Sequence, residues 1–272
     1  MPKYLRGQKR TEGKTKIIWG VQGNPHLAIV ESKDDITAGD GAKHDLMSGK
    51  AAMANQTTCN VFRLLLAHTK HIPLTFLEQL DDRSFLAYYA LMLPWEVVAR
   101  RKAWGSYLKR YPDFEKGHRF NPPLVEFFLK TSGKKWMGYD LPEDDPFAII
   151  LSTGTIHLFN PKLPMAQQQP FLTLPRVEGS EYNQQMTKVT RDVFQAIEDA
   201  WKAFGGELID FKIEFGLLDD GELVVADVID NDSWRVLDES GENLDKQVYR
   251  DGAPLEDVTA KYRYVADITS KF

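Results

Sequence analysis

The chain has 272 residues, 43% hydrophobic and 27% charged, with a formal net charge of −5, an ordinary globular balance long enough for one large domain or two lobes. The acidic total argues against a general nucleic-acid or membrane-surface binder, but a local cluster of Lys and Arg is enough to hold a phosphorylated small molecule. The first residues, MPKYLRGQKR, lack the apolar core of a signal peptide, and no run approaches the length of a membrane span.

Thr11–Trp19 reads as a turn entering a strand and Leu27–Ser32 as its partner, with Gly23-Asn24-Pro25 supplying turn chemistry between them. Gly13-Lys14-Thr15 is not a P-loop: the earlier glycine is out of place and the segment runs into a strand rather than a helix. Two readings stay open there. Lys14 and Lys16 reach phosphates from a glycine-bearing turn, or they are a lysine pair on an exposed strand. Lys33–Lys43 is a Gly- and Asp-rich loop. Asp45–Thr69 reads as a helix with Met53, Val61, Phe62, Leu65 and Leu66 as its apolar positions. Cys59, inside it, reads as a small core residue. As the single cysteine it has no intramolecular partner, which points to a reducing, cytoplasmic setting.

Phe85–Ala99 is apolar and strand-like, interrupted by Pro94-Trp95-Glu96. Arg100, Arg101, Lys102, Lys109 and Arg110 then form a basic cluster around Trp104-Gly105-Ser106. It is either a solvated helix face or a phosphate site built from an Arg fork and Ser donors. Asn121–Lys130 looks like a strand opened by prolines. Thr131–Glu178 is proline-rich and irregular, and reads as a long excursion, a lid or an oligomer contact. Glu181–Phe204 is the clearest helix, with Ser180 as N-cap and Gly205-Gly206 closing it. A terminal helix is expected over Leu255–Ile268.

Between these helices, Leu208–Arg235 reads as strand, turn and strand. In the first strand Ile209, Phe211, Ile213 and Phe215 share one face, and Asp210, Lys212 and Glu214 the other. Asp220-Gly221 is a hairpin turn signal. An even-length loop sets Glu214 directly across from Asp227, with Cβ atoms about 4.5–5.5 Å apart, whereas an odd loop breaks the pairing. Like charges so placed repel, and a divalent cation such as Mg²⁺ relieves them. The bland alternative is a solvated strand face, but Asp227, Asp230, Asp232 and Arg235 crowding one strand end look more like a site.

Two motifs carry a resemblance to the SAICAR synthetase family, the phosphoribosylaminoimidazole-succinocarboxamide synthases. One is the acid–base strand Leu208–Gly216. The other is Pro94, Glu96 and Arg100 followed by Gly105-Ser106. Supporting matches are Glu12–Lys16, Ser32-Lys33-Asp34, Gly49-Lys50-Ala51-Ala52, Asn121-Pro122-Pro123 and Ala226–Arg235. Trp104 stands where the family has Thr or Ala, and Lys43 where it has Arg. The likeness covers most of the chain except Thr131–Glu178.

The resemblance implies an α+β fold of two lobes, related to ATP-grasp and kinase-like architectures, with antiparallel sheets and flanking helices. Residues 1–90 would be a β-rich lobe covering the nucleotide, and residues 91–272 a larger lobe with the metal and substrate sites. It further implies ligation of carboxyaminoimidazole ribonucleotide (CAIR) to L-aspartate at the cost of ATP. The implied roles are Lys212, Glu214 and Asp227 in catalysis, the last two also holding Mg²⁺. Gly13, Lys14, Lys16 and Met92 would bind ATP, and Asp40, Arg100, Ser106, Asp210, Asp232 and Arg235 the substrate. The implied partners are small molecules, with no nucleic acid and no membrane, and a homo-oligomer is left open. A ligase of the same fold with another carboxylate or amine, motivated by Trp104, and an inactive nucleotide-binding regulator are the alternatives.

Overall fold

The computed structural model describes residues 3–38, 43–68, 72–131, 135–142 and 145–272. The chain divides into two compact units that are not contiguous in sequence. One comprises Met1–Leu91, Ala196–Leu208 and Gly216–Phe272, and the other Met92–Gln195 and Ile209–Phe215.

The first unit begins with β1 (Arg6–Glu12), β2 (Lys16–Val21) and β3 (Asn24–Ser32), then the hairpin β4 (Asp35–Ala38) and β5 (Lys43–Leu46). Helix α1 (Lys50–His68), β6 (Phe76–Gln79) and β7 (Ser84–Tyr88) follow. Five strands make an antiparallel sheet in the order β1-β2-β3-β7-β6. Strand β1 carries no sequence signal, because six of its seven residues are exposed and polar or glycine-bearing positions leave no period of two. Helix α1 starts five residues later than its sequence suggests. Its Phe62 packs on Phe76 and Phe85, with ring centroids 5.3 and 6.0 Å away.

The second unit contains β8 (Leu91–Lys102), the short helix α2 (Ser106–Arg110) and β9 (Arg119–Leu129). Then come β10 (Lys135–Trp136), β11 (Tyr139–Asp140), β12 (Phe147–Ile150), β13 (Ile156–Phe159) and β14 (Leu172–Leu174). Helix α3 (Asn183–Ala203) leads into β15 (Glu207–Leu217), whose middle belongs to this unit. The sheet here runs β14-β13-β12-β9-β8-β15. Two expectations are corrected. Pro94 does not interrupt a strand. It lies near the start of β8, where its missing N–H is tolerated and its carbonyl accepts Lys130 N at 2.9 Å. Nor is 131–178 an irregular excursion: β12 to β14 form an antiparallel meander that extends the sheet. Phe128, Phe147 and Phe159 supply its core.

Helix α3 follows its apolar period, burying Met186, Val189, Val193, Ile197 and Trp201. Gly205 ends it with φ +74°, and Gly206 N bonds Trp201 O at 2.9 Å. Back in the first unit are β16 (Leu223–Ala226), β17 (Trp234–Leu237), α4 (Gln247–Arg250) and α5 (Leu255–Thr269). The α5 stripe predicted from sequence is buried at Val258, Tyr262 and Val265, the first two packed with Ile36, Met47 and Tyr249. Antiparallel sheets with flanking helices make the α+β class expected from the resemblance.

Candidate active site

In the first unit, Gly13-Lys14-Thr15 is the turn between β1 and β2. Gly13 N bonds Lys16 O at 2.9 Å, and Lys33 N bonds Thr15 O at 2.7 Å. Lys33 Nζ reaches back to Glu12 at 3.1 Å and Gly13 O at 3.4 Å, so both strands clamp the turn. Lys14 is exposed at its tip. Lys16 opens β2 and ion-pairs with Asp227. Asp227 follows the last residue of β16 with φ +68°, a left-handed conformation that turns the chain where the strand has stopped, and its Oδ1 accepts Val228 N at 2.7 Å. Asp40 lies outside the described residues.

The β15–β16 turn differs from the even-length loop that would pair Glu214 with Asp227. Leu218 N bonds Glu222 O and Gly221 N bonds Leu218 O, both at 2.9 Å, with Gly221 at φ +85°. The loop is therefore odd, with a left-handed glycine, and that register does not form.

Past Asp227 the chain folds into a tight loop. Asp230 Oδ1 accepts Asp232 N at 2.8 Å, and Ser233 Oγ donates to Val228 O at 3.1 Å. Asp232 is fully engaged: Tyr262 OH donates at 2.6 Å, Lys246 at 2.9 Å, and Lys50 lies 3.7 Å away. Burial acts to raise its carboxyl, but Lys50 and Lys246 overcome it and hold the group well below the usual carboxylate range. Asp230, buried beside that charge, is pushed up. Lys50, Lys246 and Tyr262 were not singled out from the sequence as site residues. Lys50 stands in the family match Gly49-Lys50-Ala51-Ala52 without a role assigned to it, and nothing local marks Lys246 or Tyr262, which come from the segment before α4 and from α5.

Arg235 lies on β17 beside Asp245. Burial pushes the Asp245 carboxyl up to about 6, against the backbone N–H of Gln247 (2.7 Å) and of Val236 (3.1 Å) and the charge of Arg235. The folded pKa lies above the unfolded one of about 3.9, so the native state keeps a proton that the unfolded chain has lost. This contribution is fully present below about pH 4 and is lost as pH rises through about 6, up to about 3 kcal/mol in all. Urea unfolding of wild type and Asp245→Asn should therefore diverge between pH 4 and 6, with wild type losing ground. A constant difference across that window would refute the burial effect.

In the second unit, alternation along three strands brings the predicted residues onto one charged face. Arg100 on β8 donates to Asp210 of β15 at 2.7 Å, to Glu126 of β9 at 2.6 Å and to Ser106 Oγ at 3.2 Å. Lys212 donates to Glu96 at 2.8 Å and to Glu214 at 3.5 Å. Lys130 donates to Glu214 at 2.7 Å. Burial works against the Lys212 charge, but Glu96 and Glu214 more than offset it and raise its pKa, so the ammonium stays protonated. The predicted polar face of β15 is thus not solvated: Asp210 and Glu214 are buried. Met92 is exposed near the start of β8.

The basic cluster is neither a solvated helix face nor five surface cations. Arg100, Arg101 and Arg110 are all buried. Arg101 ties Phe120 O (3.0 Å) and stacks over Phe194. Trp104 packs under Lys116, whose ammonium is 4.0 Å from the ring. The sequence assigns no site role to Glu126 or Lys130, and it marks Glu96 only as part of the family motif Pro94, Glu96 and Arg100. A period of two in β8 (Glu96, Arg100) and β9 (Glu126, Lys130) could have flagged them.

Lysines paired with carboxylates at strand ends, and an arginine fork beside a serine, are the equipment of a protein that handles phosphate-bearing small molecules. Comparison with known proteins narrows this. The SAICAR synthetase family model matches residues 9–136 and 164–267. A phosphoribosylaminoimidazole-succinocarboxamide synthase of Chloroflexus aggregans is 42% identical over 98% of this chain and 97% of its own length. The crystal structure of the Ehrlichia chaffeensis synthase is 27% identical, covers 97% of this chain and 99% of its own, and has a TM-score of 0.76. A SAICAR synthetase in complex with ADP is 25% identical, over 96% of this chain and 97% of that one, with a TM-score of 0.75. The chain belongs to the SAICAR synthetase family.

Proposed function

We propose that the protein is an ATP-dependent C–N ligase of purine biosynthesis that joins CAIR to L-aspartate, giving SAICAR, ADP and phosphate. Beside the family relationship, the observation that carries this reading is the charged face of the second unit. There Lys212 sits between Glu96 and Glu214, and Arg100 meets Ser106. A carboxylate is a poor electrophile, so amide formation needs activation. Phosphoryl transfer from ATP to the CAIR carboxylate gives an acyl phosphate, and the amine of aspartate then displaces phosphate.

The protein's share is positioning and charge neutralisation. Lys212, kept protonated by its two acids, neutralises the transferring phosphoryl group or the substrate carboxylate. Arg100, Ser106 and Arg235 bind the nucleotide 5′-phosphate. Asp210 fixes Arg100, and Asp232 fixes the loop that leads into β17 and Arg235. Gly13 lets the first turn approach ATP, Lys14 and Lys16 contact its phosphates, and Met92 meets its base.

Among the described residues no group of three or more His, Cys, Asp or Glu side chains is arranged to hold a metal ion. Mg²⁺ bound with a nucleotide needs only one or two protein carboxylates beside the phosphates. Glu214 and Asp227, each already balanced by a lysine ammonium, are hard oxygen donors of that kind. Mg²⁺ would neutralise charge on the ATP phosphates. No described helix is long and apolar enough to cross a membrane.

The test is ADP release from the purified protein with Mg²⁺-ATP, CAIR and L-aspartate, omitting each in turn. Strict dependence on CAIR and aspartate is expected. ADP release without that dependence would mean a different acceptor, accommodated around Trp104. No release under any combination would favour a regulator that binds nucleotide without turnover.

A further inference from the structure

Arg110 is fully buried. Its side chain is 0% exposed, and its guanidinium lies over the rings of Phe128 and Phe147, 5.1 and 4.9 Å from their centroids. It therefore touches no ligand. It makes two contacts that matter to groups which do. Nη1 donates to the backbone oxygen of Ser106 at 3.2 Å, tying the last residue of α2 to the first. Nη2 donates to Glu126 Oε1 at 2.7 Å. The other oxygen of Glu126 accepts Arg100 Nε at 2.6 Å, and Arg100 Nη1 reaches Asp210 at 2.7 Å. Four charges thus alternate in a row: Arg110, Glu126, Arg100 and Asp210.

Burying such a row is costly, and apolar residues of similar size would fill the space at least as stably. What apolar residues could not do is orient a guanidinium. Glu126 holds the Nε edge of Arg100 and Asp210 holds Nη1, which fixes the plane of the fork beside Ser106 Oγ, 3.2 Å from Nη2. Charge matters as well. Two arginines and two carboxylates leave the row formally neutral. Without Arg110 the two carboxylates would outweigh Arg100 and oppose an incoming anion. Burial acts to raise the Glu126 carboxyl, yet Arg100 and Arg110 together hold it below its ordinary value, so it remains an anion shared between them.

We propose that Arg110 and Glu126 are positioning residues for phosphate recognition. The pair sets the orientation of Arg100 and Ser106, and the local charge, that allow a phosphate monoester to bind. The inference rests on the reading of Arg100 and Ser106 as the nucleotide 5′-phosphate site.

The experiment is steady-state kinetics of Glu126→Gln, Arg110→Met, the double variant and Arg100→Met, with KM measured separately for CAIR, ATP and aspartate. Glu126→Gln and Arg110→Met should each raise KM for CAIR about tenfold, the scale of one charge-assisted hydrogen bond. Both should leave kcat and the other two KM values within about threefold. The double variant, with Arg100 and Asp210 again balanced, should recover part of the loss seen in Arg110→Met. A purely structural role would instead lower thermal stability without selecting one substrate. If Arg100→Met raises KM for CAIR while Glu126→Gln and Arg110→Met do not, the positioning inference fails and the phosphate-site reading survives. If Arg100→Met also leaves KM unchanged, the phosphate-site reading fails first. Should Arg110→Met not fold, the near-isosteric Glu126→Gln decides alone.

Discussion

Glu214→Gln is expected to lower kcat by about two to three orders of magnitude while leaving the protein folded. The Glu214 side chain is only 6% exposed and is flanked by Lys130 at 2.7 Å and Lys212 at 3.5 Å. Removing a buried charge often unfolds a protein by stranding its partner. Here Lys130 is 37% exposed and can turn to water, and Lys212 keeps Glu96 at 2.8 Å, so neither ammonium is stranded. On the proposed metal role the cost falls on chemistry instead, because the change removes one of the two carboxylates proposed to meet the metal–nucleotide complex. Asp227→Asn should act in the same direction, through loss of the carboxylate that Lys16 holds. The measurements are kcat at saturating Mg²⁺-ATP and far-UV circular dichroism. Near-normal turnover in either variant, with the fold intact, would remove the metal assignment.

Lys212→Met should cost a comparable factor, about two to three orders of magnitude in kcat, and should also change how activity depends on pH. Lys212 is the cation between Glu96 and Glu214. With it gone the two carboxylates lose the charge that separates them, and one keeps its proton to higher pH. The acid limb of the pH–rate profile should therefore move toward neutrality in the variant. A profile that keeps its wild-type acid limb, with kcat within tenfold of normal, would mean that Lys212 holds the strand together and does not act on substrate. Thermal unfolding separates that outcome from simple loss of folded protein.

Residues close in sequence left legible signals. Helices α3 and α5 were readable because their buried side chains recur at helical spacing, and Gly205-Gly206 supplies the stop at the end of α3. The motif strand was readable because Asp210, Lys212 and Glu214 alternate with large apolar residues. Strand β1 was not, since its largely exposed residues lack alternation. The meander within 131–178 was hidden because its strands are three or four residues long, shorter than the window that shows a period.

What the sequence determined by itself is therefore the charged strand Leu208–Gly216, the amphipathic helices, the family, and the list of acids and bases on offer. Only the tertiary structure decided which of them meet. Arg100 pairs with Glu126, 26 positions away, and with Asp210, 110 positions away. Lys212 pairs with Glu96, 116 positions away. The structure also decided that the turn after β15 is odd, which removes the Glu214–Asp227 register, and that three of the five clustered cations are buried. The physical reason is the same in each case. A period of two or 3.6 reports which face a side chain is on, whereas its partner depends on strand register and turn length, which neighbouring residues in the chain do not encode.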